Sequence, residues 1–432
     1  MKTKLVICLA LFSLTARGQV YSLQQCIDSA IQNNISVQQQ RNQYEIQRLQ
    51  YNQQKQNFAP SISGSVGQNF SFGRATGADN VIVSQNMANT SFSLNANLML
   101  FDGLGMKYRI DEARLNMQAS EAKTETMEAD IRMNISSMYL QVLLNKELLQ
   151  VADSQLEATR LKLERNEQLV REGRLAEGEL YTLQAQYAKE ELSLIQAENN
   201  VRLSLLDLAQ AMNVVYSEHF DIVVPTEEEL QGTLLPTNDQ VYEAALQNRP
   251  EIRAAESQLK ANESALKGAK SAYSPTLSAG ANIGTGYYHR FGGENEAFGK
   301  QLGENFQTNI GINLSIPIFD KMQTPNTVKR QKINIENQRL QISQTKQSLR
   351  KNIDQAYYNA LAAQIQQSSA EKAAASAKEA YRYAEQKFEA GRATSYEYYD
   401  AKNTYTKALS EHLQAKYNYL FKLRILEYYM GK

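Results

Sequence analysis

The sequence predicts a mainly α-helical protein that carries a small membrane-type β-sheet. Three observations lead there: the chain repeats itself, its helical stretches outrun an ordinary domain, and four segments alternate apolar and polar residues without a charged side chain. Alternation at period two gives a strand one apolar and one polar face, whereas a period near 3.6 gives a helical stripe. The repeat ranks first, because a duplicated unit decides the architecture before any single element does.

At the N-terminus Lys2 and Lys4 precede an apolar run from Leu5 to Leu14, and Ala16 and Gly18 stand at the small-residue positions of a cleavage site. This predicts a secretory signal over residues 1–18 and a mature chain from Gln19. The run is too short for a bilayer core, which takes about 20 apolar residues. Removing it lowers the basic count from 46 Lys+Arg to 43, against 46 Asp+Glu, and leaves Cys26 as the only cysteine. No intramolecular disulfide is expected. Cys26 has no small residues before it, so it reads as a buried helical side chain rather than a lipid-attachment point. The mildly acidic balance excludes the basic footprint of a nucleic-acid binder.

The duplication has a definite register. "AIQNNISVQQQ" from Ala30 and "ALQNRPEIRAA" from Ala245 lie 215 residues apart, as do Pro60 and Pro275. Phe101 and Phe319 lie 218 apart, and that spacing holds through Gly173 and Gly391 to Met212 and Met430. The expected organisation is a first repeat over 19–213, a linker with Pro225 and Pro236 over 214–237, and a second repeat over 238–432. Each repeat reads as a polar helical stretch (about 22–57 and 238–271), a β-hairpin (about 59–101 and 271–319) and a long helical hairpin.

The strand segments are 59–73, 88–101, 271–288 and 305–319, and none contains Asp, Glu, Lys or Arg. In "SFSLNANLML" Phe92, Leu94, Ala96, Leu98 and Leu100 alternate with polar residues, and "QTNIGINLSI" repeats the pattern. Aromatic residues gather near the segment ends. A soluble sandwich is the competing reading, but four strands are too few to cover one another, while uncharged polar faces with aromatic ends fit a membrane barrel. About eight strands are needed to close one, so several chains must contribute, and three would give twelve.

From Leu104 to Val170 and from Thr327 to Phe388 no proline occurs. A helix of that length reaches on the order of 100 Å at ~1.5 Å per residue. After Gly173 a heptad seam runs through Leu180, Leu183, Tyr187, Leu194, Val201 and Leu208, matched by Tyr398, Ala401, Tyr405, His412, Tyr419 and Leu426. Such a seam marks helices that wind around neighbours. A periplasmic coiled-coil scaffold or adaptor is the alternative, but it leaves the uncharged strands unexplained.

Chemistry is hard to find. His219, His289 and His412 have no metal-ligand spacing, and no phosphate-cradling glycine loop occurs, so neither a zinc site nor a nucleotide site is expected. Glu397 and Asp400, one turn apart beside Tyr396, Tyr398 and Tyr399, lie on one helix face. A glycosidase-like pair would face each other across a substrate instead. An ordinary solvated face and a ring of carboxylates in an assembly both remain open.

"AALQNRPEIRAAESQLKANESALKGAKSAYSPTLSAG", the Pro317–Asp320 stretch with its counterpart Leu100–Asp102, and "AGRATSYEYYDA" together resemble the TolC family of outer-membrane efflux proteins. The resemblance implies a homotrimer with a twelve-stranded β-barrel in the outer membrane, four strands per chain, on an α-helical tunnel through the periplasm. It implies a passive, non-enzymatic exit duct without cofactor, working with a periplasmic adaptor and an inner-membrane pump. By the same match Glu397 and Asp400 become the pore constriction, and Gly173, Arg174, Gly391 and Arg392 the hairpin tips that dock the adaptor. The chain departs from the family pattern at Lys321-Met322, where glycines are usual, so a differently built second strand-to-helix turn is expected. It departs again in the tyrosines around the constriction carboxylates.

Overall fold

The computed structural model describes residues 20–76, 82–84, 86–226 and 235–431; the expected signal segment and part of the first hairpin loop and linker lie outside them. The chain forms two compact units, one from residues up to Arg41, Lys123–Ile252 and Thr345 onward, the other from Asn42–Ala122 and Arg253–Gln344.

The helices come in two matched sets. α1 (Leu23–Asn33) and α2 (Ile35–Gln56) have the lengths of α5 (Asn238–Asn248) and α6 (Pro250–Ser271), 11 and 22 residues. α3 (Gly105–Arg171) and α8 (Gln323–Glu389) have 67 residues each, and α4 (Glu177–Ala211) and α9 (Ser395–Tyr429) have 35. The stretches expected as single helices over 22–57 and 238–271 are each broken, at Asn34 and Arg249, both of which adopt extended backbone. Asn34 Oδ1 accepts from the Ser36 and Val37 amides and so restarts the helix, while Pro250 restarts the second, having no N–H to leave unpaired at a first turn. Capping boxes open α1 through Ser22 and Gln25, and α5 through Thr237 and Gln240.

In the larger helical unit two apolar cores mirror each other. Cys26, Ala30, Ile135, Val142 and Leu208 pack in one, and Val241, Ala245, Ile353, Ala360 and Leu426 pack at the equivalent positions of the other. Cutting Ile135 or Ile353 back to Ala removes buried methyls at a cost of roughly 2–5 kcal/mol. Cys26 is fully buried and free, as the sequence suggests, and burial pushes its thiol up to about 12. Each heptad-seam residue of α4 and α9 is buried or half-buried. The expected linker is not wholly irregular: β6 (Asp221–Ile222) pairs in parallel with β1 (Val20–Tyr21).

The other unit carries an antiparallel sheet of β2 (Ser61–Ser71), β5 (Met87–Phe101), β7 (Thr276–Arg290) and β8 (Gln307–Ser315), in the order β2-β5-β7-β8. The sequence boundaries shift where backbone chemistry intervenes. α6 runs on to Ser271 and Pro275 delays β7, while β8 stops at Ser315, two residues before Pro317 removes a donor. The hairpin loops hold structure the sequence did not announce: β3 (Arg74–Thr76) pairs with β4 (Ile82–Ser84), and α7 (Phe298–Glu304) follows β7. Side chains sort by row. Ile62, Ala96, Ala281 and Ile310 align on one face, and Ser63, Asn95, Asn282 and Asn309 on the other. Asn282 Nδ2 donates to Asn95 Oδ1 at 2.6 Å, and the Ser65 and Ser93 hydroxyls meet at 2.7 Å. Among the described residues neither β2 nor β8 has a strand partner on its outer edge, and every residue of the two is exposed.

The strand-to-helix turn after β8 corrects an expectation. Lys321 and Met322 take φ of 55° and 65°, the same left-handed pair as Gly103 and Leu104 at 66° and 68°. The second turn is therefore built like the first, with non-glycine residues held in a strained conformation. In both turns the preceding aspartate secures the helix start: Asp102 accepts from the Met106 amide and Asp320 from the Thr324 amide.

Candidate functional site

The two long hairpins turn by the same device. Gly173 and Gly391 have φ of 71° and 69°, Arg174 N donates to Leu169 O, and Arg392 N donates to Lys387 O, both at 2.8 Å. This is a glycine-led helix end in which the left-handed residue lets the last carbonyls find donors. No atom lies within 4 Å of a Cβ built at either glycine, so φ alone demands glycine there. Gly173, Arg174, Gly391 and Arg392 are all exposed.

The helices that follow start differently. α9 opens on a capping box: Thr394 Oγ1 accepts from the Glu397 amide at 3.3 Å, and Glu397 Oε2 accepts from Thr394 N at 2.8 Å. These contacts, the backbone one foremost, hold the Glu397 carboxyl below its ordinary range. α4 has Ala176 at its cap position and no side-chain cap, and its Glu179, the counterpart of Glu397, accepts a hydrogen bond from Ser395 Oγ of α9 instead. Asp400 is exposed one turn beyond Glu397.

The three tyrosines have three different fates. Tyr396 is 79% exposed, Tyr399 is half-buried, and Tyr398 is buried to 1%. Tyr398 stacks on Phe388 at 5.0 Å, and its hydroxyl meets Tyr381 OH at 3.1 Å and accepts from Lys162 Nζ, whose ammonium also sits 4.3 Å from the Tyr398 ring centroid. Burial pushes the Tyr398 and Tyr399 hydroxyls up to about 12, so both stay neutral. Lys162 also donates to Glu385 Oε1 at 2.7 Å, where Tyr381 OH donates too at 3.0 Å. Burial alone would raise the Glu385 carboxyl, but these bonds and the Lys162 charge bring it below its usual range.

One turn further along α9, Lys402 is 4% exposed. Its ammonium donates to Thr159 Oγ1 at 2.6 Å and to Glu190 Oε1 at 2.7 Å, and Gln186 Nε2 donates to the same oxygen. Burial lowers the Lys402 pKa against the pull of Glu190. Thr159 and Lys162 come from α3, Glu190 from α4, Glu385 from α8, and Tyr398 and Lys402 from α9, so the network ties all four helices. Sequence reading missed it. The available signal was divergence between the repeats: Leu163, Leu180 and Gln184 stand where Tyr381, Tyr398 and Lys402 do, and Ala408 stands where Glu190 does.

Among the described residues no group of His, Cys, Asp and Glu could hold a metal ion, and no helix is long and apolar enough to cross a membrane. A sheet with one apolar face and one polar face that is uncharged up to Arg290 at its end, in a chain with very long helical hairpins, has the pattern of a membrane barrel protein. The family model described as "Outer membrane efflux protein" matches residues 26–214 and 241–432, and the chain belongs to that family. It is an outer-membrane efflux channel protein. No curated protein matches the sequence. Among solved structures, that of CusC superposes with a TM-score of 0.77 at 18% identity, over 94% of this chain and 91% of that one. The Campylobacter jejuni CmeC outer membrane channel gives 0.76 at 18%, over 95% and 85%, and the Neisseria gonorrhoeae MtrE outer membrane channel gives 0.75 at 19%, over 95% and 88%. At these identities the likeness is one of fold.

Proposed function

We propose that three copies of the chain, exported by the signal over residues 1–18, close a twelve-stranded barrel and form a passive duct of a tripartite export system. The observation that carries this is the four-stranded sheet, uncharged except for Arg290 at the end of β7, with two open edges among the described residues. In lipid each unpaired backbone group costs several kcal/mol, so β8 of one copy pairs with β2 of the next until no edge remains. Gly173, Arg174, Gly391 and Arg392 dock a periplasmic adaptor, which couples the duct to an inner-membrane pump. The chain performs no chemistry of its own.

The helical end is the gate. Glu397 and Asp400 form its constriction, and the Lys402–Glu190 and Lys162–Glu385–Tyr398 bonds hold the two hairpins of a copy together in one of its states. Purified trimer in a planar bilayer is expected to conduct. Replacing Asp400 by Asn and Glu397 by Gln, which preserves the helix cap, is expected to weaken block by multivalent cations. A protein that fractionates as soluble and never conducts would instead be a periplasmic scaffold.

A further inference from the structure

Every residue on the polar face of the sheet can be named from the register, and between its two ends none is charged. The rows Ser63, Asn95, Asn282, Asn309 and Ser65, Ser93, Gly284, Gln307 cross all four strands. The one Asp, Glu, Lys or Arg in β2, β5, β7 or β8 is Arg290, the last residue of β7, six positions beyond Gly284, where β7 last pairs with β8. Three of the glycines on this face are not forced by the fold: a Cβ at Gly311 meets nothing, and at Gly280 and Gly284 only ordinary or slightly tight contacts, whereas at Gly67 it would come within 2.9 Å of Ser91 Oγ and at Gly286 within 3.3 Å of Thr90 O. Their effect is to keep the face low.

We infer that the barrel bore is charge-blind, and that any discrimination between solutes by charge in this channel arises outside the barrel. The inference rests on the trimeric barrel proposed above. Twelve strands ~4.8 Å apart and tilted by about 40° enclose a radius of about 12 Å. Fixed charges on such a wall would act to the axis at low salt, where the Debye length is about 30 Å at 0.01 M, and fade near 0.1 M, where it is about 10 Å. A wall of Ser, Asn and Gly amides and hydroxyls can be turned to hydrate either sign and offers no fixed field of its own. Anionic, cationic and zwitterionic solutes therefore pass the barrel on equal terms.

The test uses the full-length trimer in a bilayer under a low-salt gradient. Glu397→Gln and Asp400→Asn remove the proposed entrance carboxylates, and the potassium-to-chloride permeability ratio of that variant serves as the baseline. Adding Asn97→Asp, an exposed position on the same polar face, builds a ring of three carboxylates and should raise that ratio at least about threefold at ~0.01 M salt, the gain shrinking near 0.1 M. In a second assay Ser65→Cys is labelled with thiol reagents of equal size and opposite charge; fully buried Cys26 supplies no background. Matched rates after allowance for the reagents' intrinsic reactivity are expected. A several-fold preference for one sign at Ser65→Cys overturns the charge-blind bore while leaving the channel intact. An Asn97→Asp ring without effect overturns the assignment of this face to the bore. Absence of any conductance rejects the channel reading itself.

Discussion

Lys402 and Lys321 show how differently a lysine can be strained. Lys402 keeps its ammonium in the interior by pairing with Glu190 and Thr159. Removing one partner of such a pair strands the other, so Lys402→Met is expected to cost about 3–5 kcal/mol, read as a drop in the thermal midpoint of the helical signal. The double variant Lys402→Met, Glu190→Leu should recover most of that loss; if it melts no higher than the single variant, the pair is not what fills the site. Lys321 carries its strain in the backbone, since φ is 55° at an exposed position. Lys321→Gly should therefore stabilise by about 1 kcal/mol. Gly103 shares the conformation but not the space, because its Cβ would come within 2.5 Å of Ser274 Cβ, so Gly103→Ala should destabilise the same turn in the other repeat. Melting both variants against the parent checks the contrast. Lys402 did not stand out in the sequence, since a pairing across more than two hundred residues leaves no local mark; Lys321 did, as a departure from the glycine usual there, but a positive φ at lysine runs against its propensity, so the departure pointed to a different turn.

Helices were the most legible elements, because proline-free length and a 3.5-residue seam are properties of a contiguous stretch. Their interruptions were less so, since Asn34 breaks a helix by bonding its own backbone while Arg249 stands only one residue before a proline. Glu397 gained a second role at this scale, as the residue that closes the α9 cap. Its folded-state pKa lies below the ordinary 4.5, so the contribution it makes is full above that value and is lost as pH falls through the lower folded value. Protection from hydrogen exchange over residues 394–398, taken relative to the intrinsic rate at each pH, should accordingly fall below pH ~4.5, and Glu397→Gln, which caps without titrating, should flatten the dependence. Unchanged protection on acidification in the parent protein would remove the carboxylate from the cap. The tyrosine-rich context, a departure from the family pattern in the sequence, resolves into one buried anchor, one half-buried neighbour and one exposed ring. Heptad position alone marks Tyr398 for the interior, because it takes the seam place of Leu180.

At the scale of the molecule the duplication and the alternating strands carried most of the fold, since each is a period that survives without knowledge of contacts. What the periods could not give was pairing order and the ends of the sheet, which proline positions and the loop helix α7 decide. The face assignment makes a sharp forecast. Ile312 is on the apolar face and Asn313 on the polar one, neighbours in sequence and opposite in environment. Ile312→Lys should cost about 2–4 kcal/mol of barrel stability and lower the yield of heat-resistant trimer, whereas Asn313→Lys should leave it nearly unchanged. Equal loss from both would mean that the sheet does not face lipid on one side.

The unequal starts of α4 and α9 have a mechanical consequence. Each hairpin ends in the same glycine turn, but one return helix is clamped locally at its first residues by Thr394 and Glu397, and the other has no cap at Ala176 and is held at Glu179 by Ser395 of α9. Around the threefold axis of the proposed trimer, six tips would then alternate between the two. A partner that grips all six meets two kinds of fastening, a local cap at each α9 start and a bond borrowed from α9 at each α4 start, so a pull on one hairpin of a copy is passed to the other.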